Sequence, residues 1–174
     1  MPSLVMTLIG ADRTGLVDSV AETVAAHGAN WLESRMAHLA GQFAGILRVD
    51  VPGEQADALV AALEKLGDHG LRVVVERDSV ATDVDTPYQP WRLSLIGNDR
   101  PGIVKEISHA LAERGVNVEE FQTECLSAPM SGEKLFQASA LLRLPPGLSI
   151  ADVERQLEQI AADLMIDVTI DQSE

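Results

Sequence analysis

The chain has 174 residues, 46% of them hydrophobic and only 3% aromatic, which argues against disorder and predicts cores built from Leu, Val, Ile and Ala. Its formal net charge of −14, without a cluster of Lys or Arg, argues against direct binding of nucleic acid. Cys125 is the only cysteine and the four histidines are scattered, so we predict no disulfide, metal site or cofactor. There is no leader-like start and no apolar run long enough to cross a membrane, so a cytoplasmic protein is expected.

The sequence contains two copies of one unit. Residues 8–17 have a close match at residues 95–104, and the same offset of 87 positions relates Gly28 to Gly115 and Asn30 to Asn117. A repeat of this size indicates duplication of a fold. We therefore predict a first domain over residues 1–77, a polar linker over 78–90 that contains Pro87 and Pro90, and a second domain over 91–174.

The first copy is predicted to hold four strands and two helices. Alternating apolar residues indicate a strand over residues 4–9, and the following helix, which ends before Gly28, is predicted to turn an apolar stripe inward that includes Val17 and Val20. A second strand over 30–39 turns at residues 40–41 into a third strand that Pro52 ends. A helix over 54–66 and a strand over 71–76 complete the order βαββαβ.

The second copy repeats this order. Strands are predicted over residues 91–96, 117–127, 134–144 and 165–170, and helices over 101–114 and 149–164. Pro101 is placed in the first turn of the first helix, Val104 is placed on its inward side, and Ser149 and Asp152 fit a capping box at the start of the second. The order is that of an α+β, ferredoxin-like fold, with a four-stranded antiparallel sheet and two helices on one face in each unit.

Each copy carries a short loop between its first strand and first helix, and this loop is the candidate binding site. The first N–H groups of a helix lack partners within it and favour an anion. Gly15 and Gly102 would let a ligand come close, while Asp12 and Asp99 place a carboxylate beside the same turn. The loop could therefore bind a molecule that carries both charges, such as an amino acid.

The residues Gly-x-Asp-Arg-x-Gly-[Leu/Ile]-Val at 10–17 and 97–104, followed by Gly-x-Asn thirteen residues after the loop glycine, resemble the ACT domain. Two such units, with a Pro-x-Ser-Gly turn at 129–132, are similar to the glycine cleavage system regulatory protein family. The resemblance implies allosteric binding of an amino acid where the loop of one unit faces a neighbouring unit. It implies ligand contacts at Asp12, Asp99, Asn30 and Asn117, and at loop positions where this chain has Gly10 and Gly97.

Purely structural roles are the alternatives to ligand contact for these residues. The two aspartates could satisfy backbone N–H groups in an Asx turn, and the two asparagines could be turn residues after a helix-ending glycine.

Three functions follow from the sequence. The first is a non-enzymatic sensor in which an amino acid such as glycine modulates a partner, for example a transcriptional activator of amino-acid metabolism. The second is an interaction protein without a ligand, and the third is a small-molecule enzyme of ferredoxin-like fold. We expect no catalytic residues, and a homo-oligomer fits the first two functions.

Overall fold

The computed structural model describes residues 1–77 and 88–173. These residues form two compact units, each with its own cluster of buried apolar side chains. Most of the linker predicted over 78–90 lies outside the described residues. Among the described residues, no helix has the length and apolar character needed to span a bilayer.

The first unit consists of β1 (Ser3–Ala11), α1 (Leu16–Ala26), β2 (Asn30–Leu39), β3 (Gln42–Asp50), α2 (Ala56–Glu64) and β4 (Leu71–Arg77). Short 3-10 turns flank α2. The strands form one antiparallel sheet in the order β2-β3-β1-β4, so the first and last strands of the unit lie side by side.

The second unit repeats the order with β5 (Trp91–Asn98), α3 (Ile103–Glu113), β6 (Asn117–Ser127), β7 (Lys134–Arg143), α4 (Ile150–Leu164) and β8 (Ile166–Gln172). Its antiparallel sheet has the equivalent order β6-β7-β5-β8. The predicted α+β class with two ferredoxin-like βαββαβ units is therefore confirmed.

Each core lies between one face of the sheet and the two helices. In β1, Leu4, Met6 and Leu8 are buried against α1 and α2, whereas Ile9 on the other face is 41% exposed. Successive side chains of a strand point to opposite faces, so alternation along β1 separates a helix-covered face from an open face. We call the face that no helix covers the open face of the sheet.

The structure corrects two details of the helix starts. The first is that α3 begins at Ile103 because Gly102, in the left-handed conformation with φ 96°, is its N-cap, so Pro101 precedes the helix. The second is that Val17 and Val104, predicted to point inward, are 46% and 40% exposed, because each lies about 100° around the helix from the buried residue before it.

The N-cap half of the predicted capping box is confirmed, because the Ser149 side-chain oxygen accepts the Asp152 backbone N–H at 3.3 Å. The Asp152 carboxylate accepts the Ser149 hydroxyl at 2.9 Å, where a full capping box would have it accept the Ser149 backbone N–H.

Candidate functional site

The loops at the ends of β1 and β5 are anchored in the same way. The Asp12 backbone N–H donates to the Gly41 carbonyl oxygen at 2.9 Å, and the Asp99 N–H donates to the Lys134 carbonyl oxygen at 2.9 Å. Both acceptors lie in the hairpin that joins the next two strands. Each loop is therefore held against the neighbouring hairpin before its helix begins.

A left-handed glycine ends each loop and opens space at the helix start. Gly15 has φ 89° and Gly102 has φ 96°, and a Cβ atom built on either would have no neighbouring atom within 4 Å. Neither α1 nor α3 has a side-chain cap. The first N–H groups of these helices are therefore not satisfied by a capping side chain, and a ligand can approach them.

A depression of about 370 Å³ lies at the first loop. Its lining combines two carboxylates, one guanidinium and an apolar wall: Asp12, Arg13, Gly15, Leu16, Val17, Asp18 and Phe43. This volume lies within the range of small-molecule sites. The exposed position of Val17, which the helical pattern did not indicate, makes it part of this wall.

Arg13 also borders a second depression of about 260 Å³ on the other side of the loop, next to Ser19 and His69. Its guanidinium donates to the His69 carbonyl oxygen, which ties the loop to the turn before β4. Arg13 therefore has a structural role through this hydrogen bond, and its positive charge also lies at the edge of both depressions.

Asp12 has a partner that the sequence did not reveal. Its Oδ2 atom lies 3.6 Å from His38 Nε2 on β2, and both side chains are partly exposed. An Asx turn would bond the carboxylate to its own loop, whereas this contact directs it toward the hairpin. The repeat could not indicate the pair, because the position equivalent to His38 is Cys125 in the second unit.

The predicted asparagines do not join the loops of their own units. Asn30 lies opposite Asp50, which also lies opposite Ser3, whereas Asp12 follows Ala11 at the other end of β1. The eight residue-to-residue steps from Ser3 to Ala11 span about 26 Å. A ligand at the Asp12 loop could therefore contact an asparagine only from a different unit.

Asn117 has the same position in the second unit, opposite Arg143. Its side-chain amide donates to Glu119 Oε1 at 2.6 Å, so this amide already has an intramolecular partner.

Gly10 and Gly97 pack directly against neighbouring parts of the chain and do not face open space. A Cβ atom on Gly10 would lie 2.4 Å from the Gly70 carbonyl oxygen, and one on Gly97 would lie 2.4 Å from Ile166 Cγ2. Such distances are well inside van der Waals contact. The chain crosses so close to these positions that a polar side chain could not be placed there to bind a ligand.

No group of three or more His, Cys, Asp or Glu side chains that could hold a metal ion is found within residues 1–77 and 88–173.

Comparison with known proteins gives matches to both halves. The ACT domain model matches residues 3–76. A UPF0237 protein from Methanocaldococcus jannaschii is 32% identical over 83 residues, which cover 46% of this chain and 92% of that protein. The glycine cleavage system transcriptional repressor of Escherichia coli is 21% identical over 162 residues, which cover 92% of this chain and 85% of that protein.

The tandem arrangement also has a counterpart among solved structures. An unknown protein from Galdieria sulphuraria, 29% identical, superposes with a TM-score of 0.88 over 99% of both chains. The repeated loop, the two βαββαβ units and these matches lead to one conclusion: the chain belongs to the ACT-domain family.

Proposed function

We propose that this chain is a non-enzymatic regulatory protein that binds an amino acid, with glycine as the first candidate, at the β1–α1 loop. The observation that carries the proposal is the uncapped start of α1 beside the open Gly15 and the Asp12 carboxylate. The same backbone arrangement recurs at the β5–α3 loop.

The charges of the first loop suit a zwitterion. The α-carboxylate of an amino acid would accept hydrogen bonds from the first N–H groups of α1 and interact with the positive end of the helix dipole. The ammonium group would lie near Asp12 and Asp18. Val17 and Phe43 leave an apolar wall that favours a small aliphatic side chain or none.

The regulatory part of the proposal draws on a relative. The Escherichia coli protein that matches 92% of this chain is a transcriptional repressor of the glycine cleavage system. We propose that the present chain likewise modulates a protein partner, such as a transcriptional regulator of amino-acid metabolism, and that the bound amino acid biases the state that the partner recognises.

Thermal unfolding with glycine, acetate and methylamine tests the ligand class, because the latter two each carry only one of the charges. Ligand at about 100 times Kd stabilises the folded state by about 2.7 kcal/mol, which raises the Tm by several degrees. We expect glycine to raise the Tm and both fragments to have little effect at the same concentration. The ligand proposal is wrong if none of the twenty amino acids shifts the Tm.

Two single variants assign the site. Asp12→Asn and Asp99→Asn each remove one loop carboxylate, and Asp163→Asn at an exposed position of α4 is the control. We expect Asp12→Asn to lower the affinity measured by calorimetry and Asp163→Asn to leave it unchanged. The effect of Asp99→Asn reports whether the second loop also binds.

Partner capture with and without glycine tests the regulatory part. Capture that changes with glycine supports a sensor. Capture that is indifferent to every amino acid, together with an absence of any thermal shift, identifies an interaction module in which the loops are structural.

A further inference from the structure

His38 on β2 is the histidine that contacts the carboxylate of the first loop. Its Nε2 atom lies 3.6 Å from Asp12 Oδ2, and the two side chains are 57% and 41% exposed. His38 also lies directly opposite Phe43 on β3, and both Asp12 and Phe43 line the depression of about 370 Å³. The neighbour of His38 on the same face of β2 is Met36, which carries no charge. His38 is therefore adjacent to a charged group of the candidate site.

Three charged side chains line this depression. Asp12 and Asp18 carry negative charges, and Arg13 carries a positive charge. Histidine is the side chain that normally changes charge between pH 5 and 8, whereas aspartate and arginine keep their charges over this range. Protonation of His38 therefore adds a positive charge beside Asp12 while the charges that line the depression stay the same.

We propose that protonation of His38 weakens the binding of an amino acid at the first loop, so that this site responds to pH. The inference rests on the proposed function, in which the ammonium group of the ligand lies near Asp12. The imidazolium of His38 and the ammonium group then compete for one carboxylate, and their like charges repel each other. Neutral His38 leaves the carboxylate to the ligand.

The competition acts in both directions, because two ligands that affect each other's binding do so by the same factor. A bound amino acid disfavours the protonated form of His38, so binding releases protons in the pH range where this side chain titrates. The affinity is therefore highest above that range and falls as the pH is lowered. Since both side chains are partly exposed, we expect a change of about two- to fivefold in the dissociation constant, as for other exposed charge pairs.

The second unit provides an internal contrast. Cys125 takes the position of His38 there, since each lies opposite the phenylalanine that pairs with the glycine near the end of the unit's first strand. A cysteine thiol has no positively charged form in water. Lowering the pH therefore adds no cation beside Asp99 through this position, and the proposal concerns the first loop alone.

Calorimetric titration of the full chain with glycine at pH 5.5, 6.5 and 7.5 tests the proposal. His38→Gln is the variant, because glutamine keeps a polar side chain but does not become charged. His69→Gln is the matched control, since His69 lies next to Arg13 on the other side of the loop. We expect the dissociation constant of the wild type and of His69→Gln to rise about two- to fivefold from pH 7.5 to pH 5.5, and that of His38→Gln to stay constant.

Proton release provides a second readout that a purely structural role of His38 would not change. Titration at pH 6.5 in phosphate and in imidazole, two buffers with different enthalpies of ionisation, measures it from the difference in binding heat. We expect the wild type to release a fraction of a proton for each glycine bound, and His38→Gln to release none. Circular dichroism checks that each variant is folded.

The outcomes separate this inference from the proposed function. A dissociation constant of the wild type that does not change with pH overturns the inference, as does a pH dependence that persists in His38→Gln or is lost equally in His69→Gln. Each of these results leaves amino-acid binding intact. If neither glycine nor any other amino acid binds at any of the three pH values, the proposed function itself is wrong and the inference falls with it.

Discussion

The loops before α1 and α3 have the same backbone but different charges. Both have a left-handed glycine and an aspartate held by the adjacent hairpin. In the third residue of the helix, however, the first unit has Asp18 and the second has Lys105. The comparison teaches that the turn geometry is fixed by the fold, whereas the electrostatics of each loop is set separately.

The two sheets also share features that the fold requires and differ in features that it does not. Their helix-covered faces are apolar in both units, because each core must be filled on that side. Their open faces differ at the centre, with Ile46 in one and Ser139 in the other. Positions that no helix covers therefore differ more between the two units than the positions that fill the cores do.

The largest expected effect tests whether each core stabilises its own unit. Leu8→Ala and the equivalent Leu95→Ala each remove a buried leucine. Each should destabilise its unit by about 3–5 kcal/mol through lost burial and the resulting cavity. Hydrogen exchange measured by mass spectrometry should show faster exchange confined to the unit that carries the substitution. Equal loss of protection in both units would contradict the separation of the cores.

A second test concerns the paired glycines of β1 and β5. Gly10→Ala and Gly97→Ala introduce a Cβ atom that overlaps neighbouring atoms, so each should cost about 1–3 kcal/mol in urea unfolding. Gly67→Ala is the control, because a Cβ at Gly67 has open space. A tolerated alanine at Gly10 would show that the turn before β4 can move away.

A smaller effect compares the second helix of each unit. Only α4 has a side-chain cap, from Ser149, whereas no side chain caps α2. Ser149→Ala should lower the free energy of unfolding by about 1 kcal/mol, and Ser149→Asp should retain most of the stability. If Ser149→Ala and Ser149→Asp behave alike, the hydrogen bond to the Asp152 N–H contributes little.

The smallest expected effects have opposite signs in the two units. Asp18 lies in the first turn of α1 and favours the helix dipole, whereas Lys105 lies at the equivalent place in α3 and opposes it. Asp18→Lys should destabilise its unit by about 0.3–1 kcal/mol, and Lys105→Asp should stabilise its unit by a similar amount. Chemical denaturation at low salt measures both, and added salt should reduce both.

Sequence reasoning reached most of the fold because two independent signals agreed. Helical and strand periodicity gave the element types, and the repeat gave the same order twice. The prediction was wrong where every apolar residue at a helix start was assigned to the buried face. Val17 and Val104 are apolar neighbours of buried residues, yet they face outward because a helix turns by about 100° per residue.

The candidate site was harder to predict. Asp12 and Asn30 are only 18 positions apart, but α1 carries the chain back along the sheet, so β2 starts at the end opposite the loop. Asp12 and His38 are farther apart in sequence and yet lie 3.6 Å apart, because the hairpin of β2 and β3 returns to the loop. Strand direction, not sequence distance, decides which side chains meet.

The sequence by itself determined the duplicated βαββαβ order, the apolar faces and the glycine loops, because these depend on local periodicity and on backbone preferences of single residues. Only the tertiary structure decided that Gly10 and Gly97 are required by close chain crossing, and that the centre of one open sheet face is aliphatic while the centre of the other is polar. Those properties depend on register between strands distant in sequence, and no local pattern encodes it.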